Sequence, residues 1–232
     1  MIIIHDKRLP KAAIKKLNEY GECLPFLSEN ITCQAIAGHP DIFFFPTKAF
    51  AIVAPNTPPY FINYLKTKGF PLITGTTPVG NLKENSTCYN VVMTERYLIH
   101  HRKFTDATIL QNTQDKIFIH VNQAYTRCSL LPLNNDSFIT SDRGIEKTLS
   151  QHGLNCLYIS PKEIILPGHS YGFIGGCMGV FERNVFLIGS PQHHSDGAKL
   201  ETFIHENGYH LISLYDGKFF DGGGVFFYFE DL

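Results

Sequence analysis

Asp221-Gly-Gly-Gly-Val-Phe-Phe-Tyr-Phe229 is the stretch of sequence that decides the fold. Three consecutive glycines lead into an apolar and aromatic run with the composition of a buried β-strand. The run lies near the C-terminus of the sequence and is expected to be a strand separated from the rest of its unit. The strand is therefore expected to pair with another part of the chain.

The N-terminal segment contains the rest of the unit that this strand would complete. Ile2–Ile4 is predicted to be a strand, a helix is predicted to end at Gly21, and Cys23-Leu24 begin another strand. This segment lacks the first strand that other units of the chain have. We therefore expect residues 1–30 and 219–232 to form one unit between them.

The sequence contains an internal repeat in which an apolar residue precedes a glycine by four positions. Glycine at this point is typical of a helix end, where it adopts the left-handed C′ conformation, and each glycine is followed by a short apolar strand. The four copies are Leu17-x-x-x-Gly21, Leu65-x-x-x-Gly69, Leu149-x-x-x-Gly153 and Ile204-x-x-x-Gly208.

The residues before each helix complete a strand–strand–helix–strand unit. The predicted N-caps are Asp6, Thr57, Ser141 and Ser195, with Pro58 at a first helical position. The predicted second strands are Ile2–Ile4, Ala51–Val53, Phe138–Thr140 and Val185–Ile188. The predicted first strands are Asp41–Phe45, Cys128–Leu131 and Met178–Phe181.

A fifth, more divergent copy lies between the second and third glycines, which are 84 residues apart. Its strands are Tyr89–Met93, Tyr97–Ile99 and Ile117–Ile119, and the segment at Thr108–Leu110 lacks the glycine. Five such units predict a mixed α/β fold, a closed pseudo-fivefold α/β propeller of ββαβ units in a single domain, residues 1–232. Closure would remove the exposed edge strands; the alternative is an open α/β sheet.

Composition limits the function classes. The net charge of −1 gives no basic surface for nucleic acid. No apolar run approaches the roughly 20 residues of a membrane helix, and no signal peptide is recognisable, so we expect no membrane partner and a cytoplasmic location. Six scattered cysteines without a CxxC pair favour neither zinc nor disulfides. We expect no metal and no cofactor, and the oligomeric state is left open.

The five-unit pattern and several short motifs resemble the pentein superfamily of guanidine-modifying enzymes and amidinotransferase-like proteins. Asp221-Gly222-Gly223-Gly224 resembles the glycine stretch before the last strand of its agmatine deiminase branch. The motifs typical of an uncharacterised bacterial branch are Gly38-His39-Pro40-Asp41, Tyr125-Thr126-Arg127-Cys128-Ser129 and Tyr171-Gly172-Phe173-Ile174-Gly175-Gly176.

The resemblance implies a specific chemistry. In the family a cysteine thiolate attacks the guanidinium carbon, a histidine transfers protons, and carboxylates hold the cation. The deiminase nucleophile follows the glycines within the last strand, but Tyr228 occupies that place and no cysteine follows Cys177. The chemistry has therefore either been lost or moved to another unit.

Cys128 is the first candidate nucleophile. A shift of 87 residues places it opposite Asp41 in the repeat, beside Arg127, whose charge could lower the thiol pKa. The structural alternative is a small buried strand residue. Cys177 is the second candidate thiol.

His39 and Asp41 lie two residues apart on a predicted extended segment, and both could face a central channel. Asp41 could bind a cation or only satisfy turn amides. His169, in a loop of small residues, is a second candidate base or a surface histidine.

Asp221 is a candidate cation-binding residue, and Gly222 and Gly223 would let the backbone approach a ligand; turn formation is the alternative. Tyr171 is a further candidate ligand contact. The leading hypothesis is a protein that binds a small guanidine, amidine or amino-acid-like ligand, with possible cysteine-dependent hydrolysis. The alternative is a non-catalytic binding module of the same fold that recognises a macromolecular partner.

Overall fold

The computed structural model describes residues 1–228. Positions 229–232, into which the predicted segments 219–232 and 225–229 extend, lie outside the described residues. The strands are β1 Ile2–Asp6, β2 Glu22–Phe26, β3 Phe44–Pro46, β4 Ala51–Val53, β5 Leu72–Thr74, β6 Val92–Met93, β7 Tyr97–His100, β8 Ile117–His120, β9 Leu130–Pro132, β10 Ser137–Thr140, β11 Asn155–Tyr158, β12 Met178–Phe181, β13 Asn184–Leu187, β14 His210–Ser213 and β15 Phe226–Tyr228. The helices are α1 Lys11–Leu17, α2 Pro59–Thr67, α3 Lys83–Ser86, α4 Ala107–Asn112, α5 Thr126–Ser129, α6 Arg143–Gln151 and α7 Gly197–Glu206.

These strands form five three-stranded sheets. In each sheet the middle strand pairs antiparallel with one neighbour and parallel with the other. The orders are β15-β1-β2, β3-β4-β5, β6-β7-β8, β9-β10-β11 and β12-β13-β14. The predicted mixed α/β fold of five repeated units is confirmed at this level.

The first sheet combines the two ends of the chain, as predicted. β15 lies antiparallel to β1, with Ile2 opposite Tyr228 and Ile4 opposite Phe226. Phe226 also packs edge-on against Phe44 of the second sheet, with 5.9 Å between ring centroids. The C-terminal strand therefore joins the first sheet and contacts the core of the second.

The middle strands are buried because each has sheet neighbours on both sides and a helix that connects it to the third strand. Every residue of β1, β4, β7 and β10 is buried. Apolar residues supply most of these positions, which explains why the repeat was recognisable as short apolar runs. Within residues 1–228, no helix is long and apolar enough to cross a bilayer.

The helix ends agree with the prediction at three of the four glycines. Gly69, Gly153 and Gly208 have φ values of 74°, 73° and 80°, the left-handed conformation that glycine adopts without strain. Gly21 serves a different purpose, since a Cβ there would lie 2.7 Å from the carbonyl oxygen of Met1.

The predicted helix starts are wrong by one to four residues. The N-cap residues are Pro10, Pro58, Asp142 and Asp196. Asp142, for example, accepts a hydrogen bond from the backbone N–H of Ile145 at 2.9 Å. Asp6 caps no helix, because its carboxylate binds Arg8, with 2.6 Å between Oδ2 and Nη2.

Three predicted first strands begin too early, and this correction concerns the candidate site. The strand predicted at Tyr89–Met93 is limited to Val92–Met93. Asp41 lies in the 3-10 turn Pro40–Ile42, directly before β3. Cys128 lies in α5, directly before β9. The side chains therefore project from helical turns at the starts of the sheets and not from the strands themselves.

Candidate functional site

Polar side chains from four of the five sheets meet at the segments that precede their first strands. Asp41 precedes β3, Asn90 precedes β6, Cys128 precedes β9 and Asp221 precedes β15. Each of these four side chains belongs to a residue that is at most 2% exposed. Together with His39 they form what we call the polar cluster.

Hydrogen bonds join Asp41, Asn90 and Cys128 directly. The Cys128 thiol donates to Asp41 Oδ2, with 2.9 Å between sulfur and oxygen. The Asn90 amide donates to Cys128 Sγ at 3.3 Å, and its oxygen accepts from the Cys128 backbone N–H at 3.1 Å. The two residues that the repeat placed opposite each other are therefore in contact, and Asn90 fixes the position of the thiol.

His39 and Asp221 occupy the other side of the polar cluster. His39 Nδ1 lies 3.9 Å from Asp221 Oδ1, and both side chains are 1% exposed. The Asp221 carboxylate accepts hydrogen bonds from the backbone N–H groups of Phe173 at 2.8 Å and Gly223 at 3.1 Å. Asp221 therefore stabilises the turn through backbone hydrogen bonds, as the turn-formation alternative predicted, and its carboxylate also lies next to the His39 imidazole.

Three polar atoms in the cluster have no hydrogen-bond partner among the described residues. They are both ring nitrogens of His39 and Oδ1 of Asp41. Leaving a buried polar group without a partner costs about 1–3 kcal/mol, and folded proteins rarely contain several such atoms together. Their concentration at one place is typical of a site that binds a further group.

Burial raises the pKa of the Asp41 carboxyl to about 6, against the hydrogen bond from Cys128 and the charge of Arg127, which lower it. Burial also raises the pKa of Asp221, and the nearby Asp41 adds to this effect. Both carboxyl groups therefore bind protons more readily than carboxyl groups in water, because no cation compensates their charge fully.

The expectation that Arg127 lowers the pKa of the Cys128 thiol is wrong. Burial raises that pKa well above its ordinary value, and the negative charges of Asp41 and Asp221 raise it further. The thiolate is accordingly a minor species in the ligand-free protein at neutral pH.

Arg127 is buried on the side of the cluster that faces the first sheet. Its guanidinium donates to the carbonyl oxygens of Gly175 at 2.7 Å and Met178 at 3.1 Å. The same group lies 5.1 Å from the ring centroid of Phe226. Burial lowers the pKa of Arg127, but an arginine stays protonated at neutral pH because its ordinary pKa is so high. Arg127 is therefore a fixed buried cation.

Gly222 and Gly223 let the backbone lie close to the polar cluster. The atoms next to these glycines belong to side chains of this protein and not to a ligand. Gly223 has a φ of 67°, and a Cβ there would lie 2.5 Å from His39 Cβ and 2.7 Å from Asp41 Oδ1. A Cβ at Gly222 would lie 2.5 Å from Leu9 Cδ2. The glycines thus allow close packing of Asp221, His39 and Asp41.

The remaining candidates lie outside the polar cluster. His169 is exposed, and Tyr171 is 47% exposed in the same loop. Cys177 is buried, but its thiol donates to the carbonyl oxygen of Phe173 at 3.2 Å and packs among apolar residues. The structure brings together His39, Asp41, Cys128 and Asp221, with Arg127 next to them.

Sequence reasoning missed two contributors. Asn90 is the one amide in the apolar run 88–93, and this was the available signal. Arg8 donates to the Asp6 carboxylate and to the carbonyl oxygens of Gln34 and Ala35. It thereby holds the segment that leads to His39, but a contact across 26 residues leaves no local pattern.

The arrangement offers two kinds of binding. Asp41 and Asp221 can hold a cationic ligand through charge-assisted hydrogen bonds, with His39 and Cys128 beside it. His39, Asp41 and Cys128 also each present a ligand atom, all within 4.8 Å of one another, which could hold a metal ion.

Three solved structures have folds similar to this chain. DDAH from Pseudomonas aeruginosa, a mutant complexed with citrulline, matches with a TM-score of 0.54 and 11% identity over 91% of each chain. C. jejuni agmatine deiminase matches with a TM-score of 0.55 and 6% identity over 92% of this chain and 87% of its own. SxtG, an amidinotransferase of the saxitoxin biosynthetic pathway from Microseira wollei, matches with a TM-score of 0.53 and 10% identity over 91% of this chain and 87% of its own.

All three are pentein superfamily members, so the predicted resemblance to that superfamily is confirmed. At these identities the likeness concerns the fold. No curated protein matches the sequence. A family described as a family of unknown function, DUF6873, matches residues 4–226. This match spans nearly the whole chain, and the chain belongs to the DUF6873 family.

Proposed function

We propose that the polar cluster binds a small guanidinium or amidinium cation, alone or as part of an amino-acid-like ligand. The observation that carries the proposal is the charge of the cluster. Two buried carboxylates, Asp41 and Asp221, interact electrostatically with one buried guanidinium, that of Arg127. With both carboxylates ionised, one negative charge stays uncompensated, and a bound monocation would balance it.

The fold supports this choice. Solved structures with the same five-sheet architecture include an agmatine deiminase and an amidinotransferase. We further propose that the five sheets close into a ring within one domain, residues 1–232. The pairing of β15 with β1 and the contacts of β12 with β15 and of β6 with β9 support a closed arrangement.

Hydrolysis at this site would use Cys128. A cationic ligand beside the thiol favours the thiolate electrostatically. The thiol proton passes to His39 and the thiolate adds to the guanidinium carbon. One C–N bond then breaks as His39 gives this proton to the leaving amine, and an isothiouronium intermediate forms. Water then adds to the same carbon, the C–S bond breaks, and the thiol and a urea-type product are released. His39 fits the proton-transfer role because its ring lies against both Asp221 and the Asp41–Cys128 pair.

Binding without catalysis is the second candidate, in a non-catalytic module of the same fold. The raised pKa of Cys128 favours it, since the ligand-free protein holds the protonated and poorly nucleophilic thiol. The lack of a cysteine after Cys177 agrees with it.

Binding is tested by calorimetric titration with agmatine, arginine and acetamidine, with the neutral citrulline as the matched ligand. We expect the cations to bind and Asp221→Asn to weaken them roughly 10–100-fold, the equivalent of one charged hydrogen bond. Asp136→Asn, at a carboxylate that is 71% exposed, is the control. Equal binding of citrulline, or equal loss in both variants, would contradict the proposal.

Catalysis is tested separately by measuring release of ammonia or amine from each bound cation. Hydrolysis predicts product formation that Cys128→Ser abolishes and Cys177→Ser preserves. A protein that binds the cations tightly and forms no product is the non-catalytic module.

A further inference from the structure

The polar cluster contains a second kind of binding site, which does not depend on the guanidine proposal. We propose that His39, Asp41 and Cys128 bind a divalent transition metal ion of the zinc type, with Asp221 orienting the imidazole. No metal was expected from the sequence, because the three residues do not follow a ligand-spacing motif.

The distances between the donor atoms are close to those of a metal site. One ligand atom from each residue lies within 4.8 Å of the other two. Bond lengths of roughly 2.0–2.3 Å in a tetrahedral zinc site place its donor atoms about 3.3–3.8 Å apart. The widest pair would therefore have to close by about 1 Å, which side-chain rotation can supply.

Several of the donor atoms are buried and have no other partner within the part of the chain that the structure describes. Both nitrogens of His39 and Oδ1 of Asp41 are buried and without a hydrogen-bond partner in residues 1–228. A metal ion would give a partner to one ring nitrogen and to the Asp41 carboxylate. The unpaired atoms are thus the atoms that coordination would use.

The residues around the three donor groups also favour metal binding. Histidine ligands of zinc usually direct their other ring nitrogen toward a carboxylate, and Asp221 Oδ1 lies 3.9 Å from Nδ1 of His39. This leaves Nε2 for the metal. Asn90 donates its amide to Cys128 Sγ at 3.3 Å, as expected for a group that stabilises a coordinated thiolate.

Charge favours a dication as well. The metal-bound site would contain a thiolate, two carboxylates, the Arg127 guanidinium and the ion, and these charges sum to zero. Metal binding displaces the thiol proton, which passes to solvent. Sulfur, nitrogen and oxygen together select zinc or cobalt over magnesium or calcium, which prefer oxygen ligands alone. Three protein ligands leave a fourth position open.

The direct test is titration of the metal-free protein with Co²⁺, without any guanidine compound. We expect a thiolate-to-cobalt charge-transfer band and visible bands of a tetrahedral site, both displaced by Zn²⁺. His39→Gln and Cys128→Ser should abolish the charge-transfer band, and Asp221→Asn should weaken Co²⁺ binding about 10–100-fold. Cys177→Ser is the matched control, since Cys177 is equally buried but its thiol donates to the backbone carbonyl of Phe173.

A second measurement uses the unmodified chain and so avoids variants that fail to fold. We expect saturating Zn²⁺ to slow alkylation of Cys128 at least tenfold, while alkylation of the exposed Cys33 stays unchanged. Lack of a charge-transfer band, its persistence in Cys128→Ser, or equal effects of Zn²⁺ on both thiols would overturn the site. Because no guanidine is present, a failure of the guanidine proposal leaves this result unaffected.

Discussion

Asp41 is a buried, ionisable residue of the candidate site. Its carboxyl is fully buried, accepts a hydrogen bond from the Cys128 thiol at Oδ2, and has no partner at Oδ1 among the described residues. A carboxyl placed this way destabilises the folded protein when it ionises, unless a cation is bound. Residues at binding sites often destabilise the ligand-free protein in this way, because the bound ligand compensates their charge.

The stability of the protein should depend on pH through Asp41. The pKa of Asp41 is about 6 in the folded protein and 3.8 for the free group. Between about pH 4 and pH 6, Asp41 is therefore protonated in the folded protein but ionised in the unfolded chain. The stability contribution of Asp41 therefore falls as pH rises through this range, by about 3 kcal/mol.

We expect Asp41→Asn to remove this dependence. The unfolding free energy of the variant minus that of the wild type should increase by up to about 3 kcal/mol as the pH rises from 4 to 7. Urea denaturation of both proteins at several pH values measures the difference, with Asp136→Asn as the control. A difference between variant and wild type that stays constant with pH would refute the prediction.

Thiol reactivity is the second prediction at this scale. Cys128 is buried and its pKa is raised, whereas Cys33 is exposed. At pH 8 we expect iodoacetamide to modify Cys33 at least tenfold faster than Cys128, because alkylation requires an accessible thiolate. Mass spectrometry of peptides from the folded protein compares the two rates, and faster labelling of Cys128 would show that its thiol is activated.

At the scale of elements, the same helical-turn-to-strand junction recurs and supplies the site. Asp41 and Cys128 both lie in a short helical turn directly before the first strand of a sheet. The repeat thus brings side chains from four of the five units to a common place, and a residue's position within its unit decides whether it can join the cluster. His169 is excluded because it lies in a loop that stays on the surface.

The glycines of the Asp221–Gly224 segment permit this convergence. Gly223 and Gly69 both have positive φ, but only at Gly223 would a Cβ collide with neighbouring atoms. Gly69→Ala should cost about 1–2 kcal/mol, the strain of a left-handed alanine. Gly223→Ala should cost clearly more, since it adds overlap with His39 to the same strain. Thermal or urea unfolding of the two variants compares them, and equal losses would mean that packing at Gly223 is loose.

At the scale of the whole molecule, pairing of the two chain ends is the feature that holds the first sheet together. β15 pairs with β1, and Phe226 also contacts Phe44 and the Arg127 guanidinium. The first sheet therefore needs both ends of the chain, and one of its strands contributes to the wall beside the cluster.

A circular permutant tests the proposed closure of the ring. Because Ile2 lies opposite Tyr228, a short linker can join these two residues, and new ends can be opened in the exposed turn at Asn134. We expect the permutant to fold, to unfold in a single transition, and to keep the ligand binding of the parent chain. A permutant that unfolds in two transitions would show that the original ends do not close one cooperative unit.

The sequence alone determined the repeat, the pairing of the chain ends and the residues His39, Asp41, Cys128 and Asp221 as candidates. These follow from local rules, because buried strands require apolar runs and helix ends require glycine. The same rules missed the helix starts, since neighbouring polar residues such as Ser141 and Asp142 cap a helix almost equally well.

Only the tertiary structure decided which candidates meet and in what electrical environment. The pKa of Cys128 depends on burial and on two carboxylates that are distant in sequence, so its neighbour Arg127 was a misleading guide. Asn90 and Arg8 act through contacts across 26 or more residues. Burial and long-range electrostatics are properties of the packed molecule, because each depends on every element that surrounds the group.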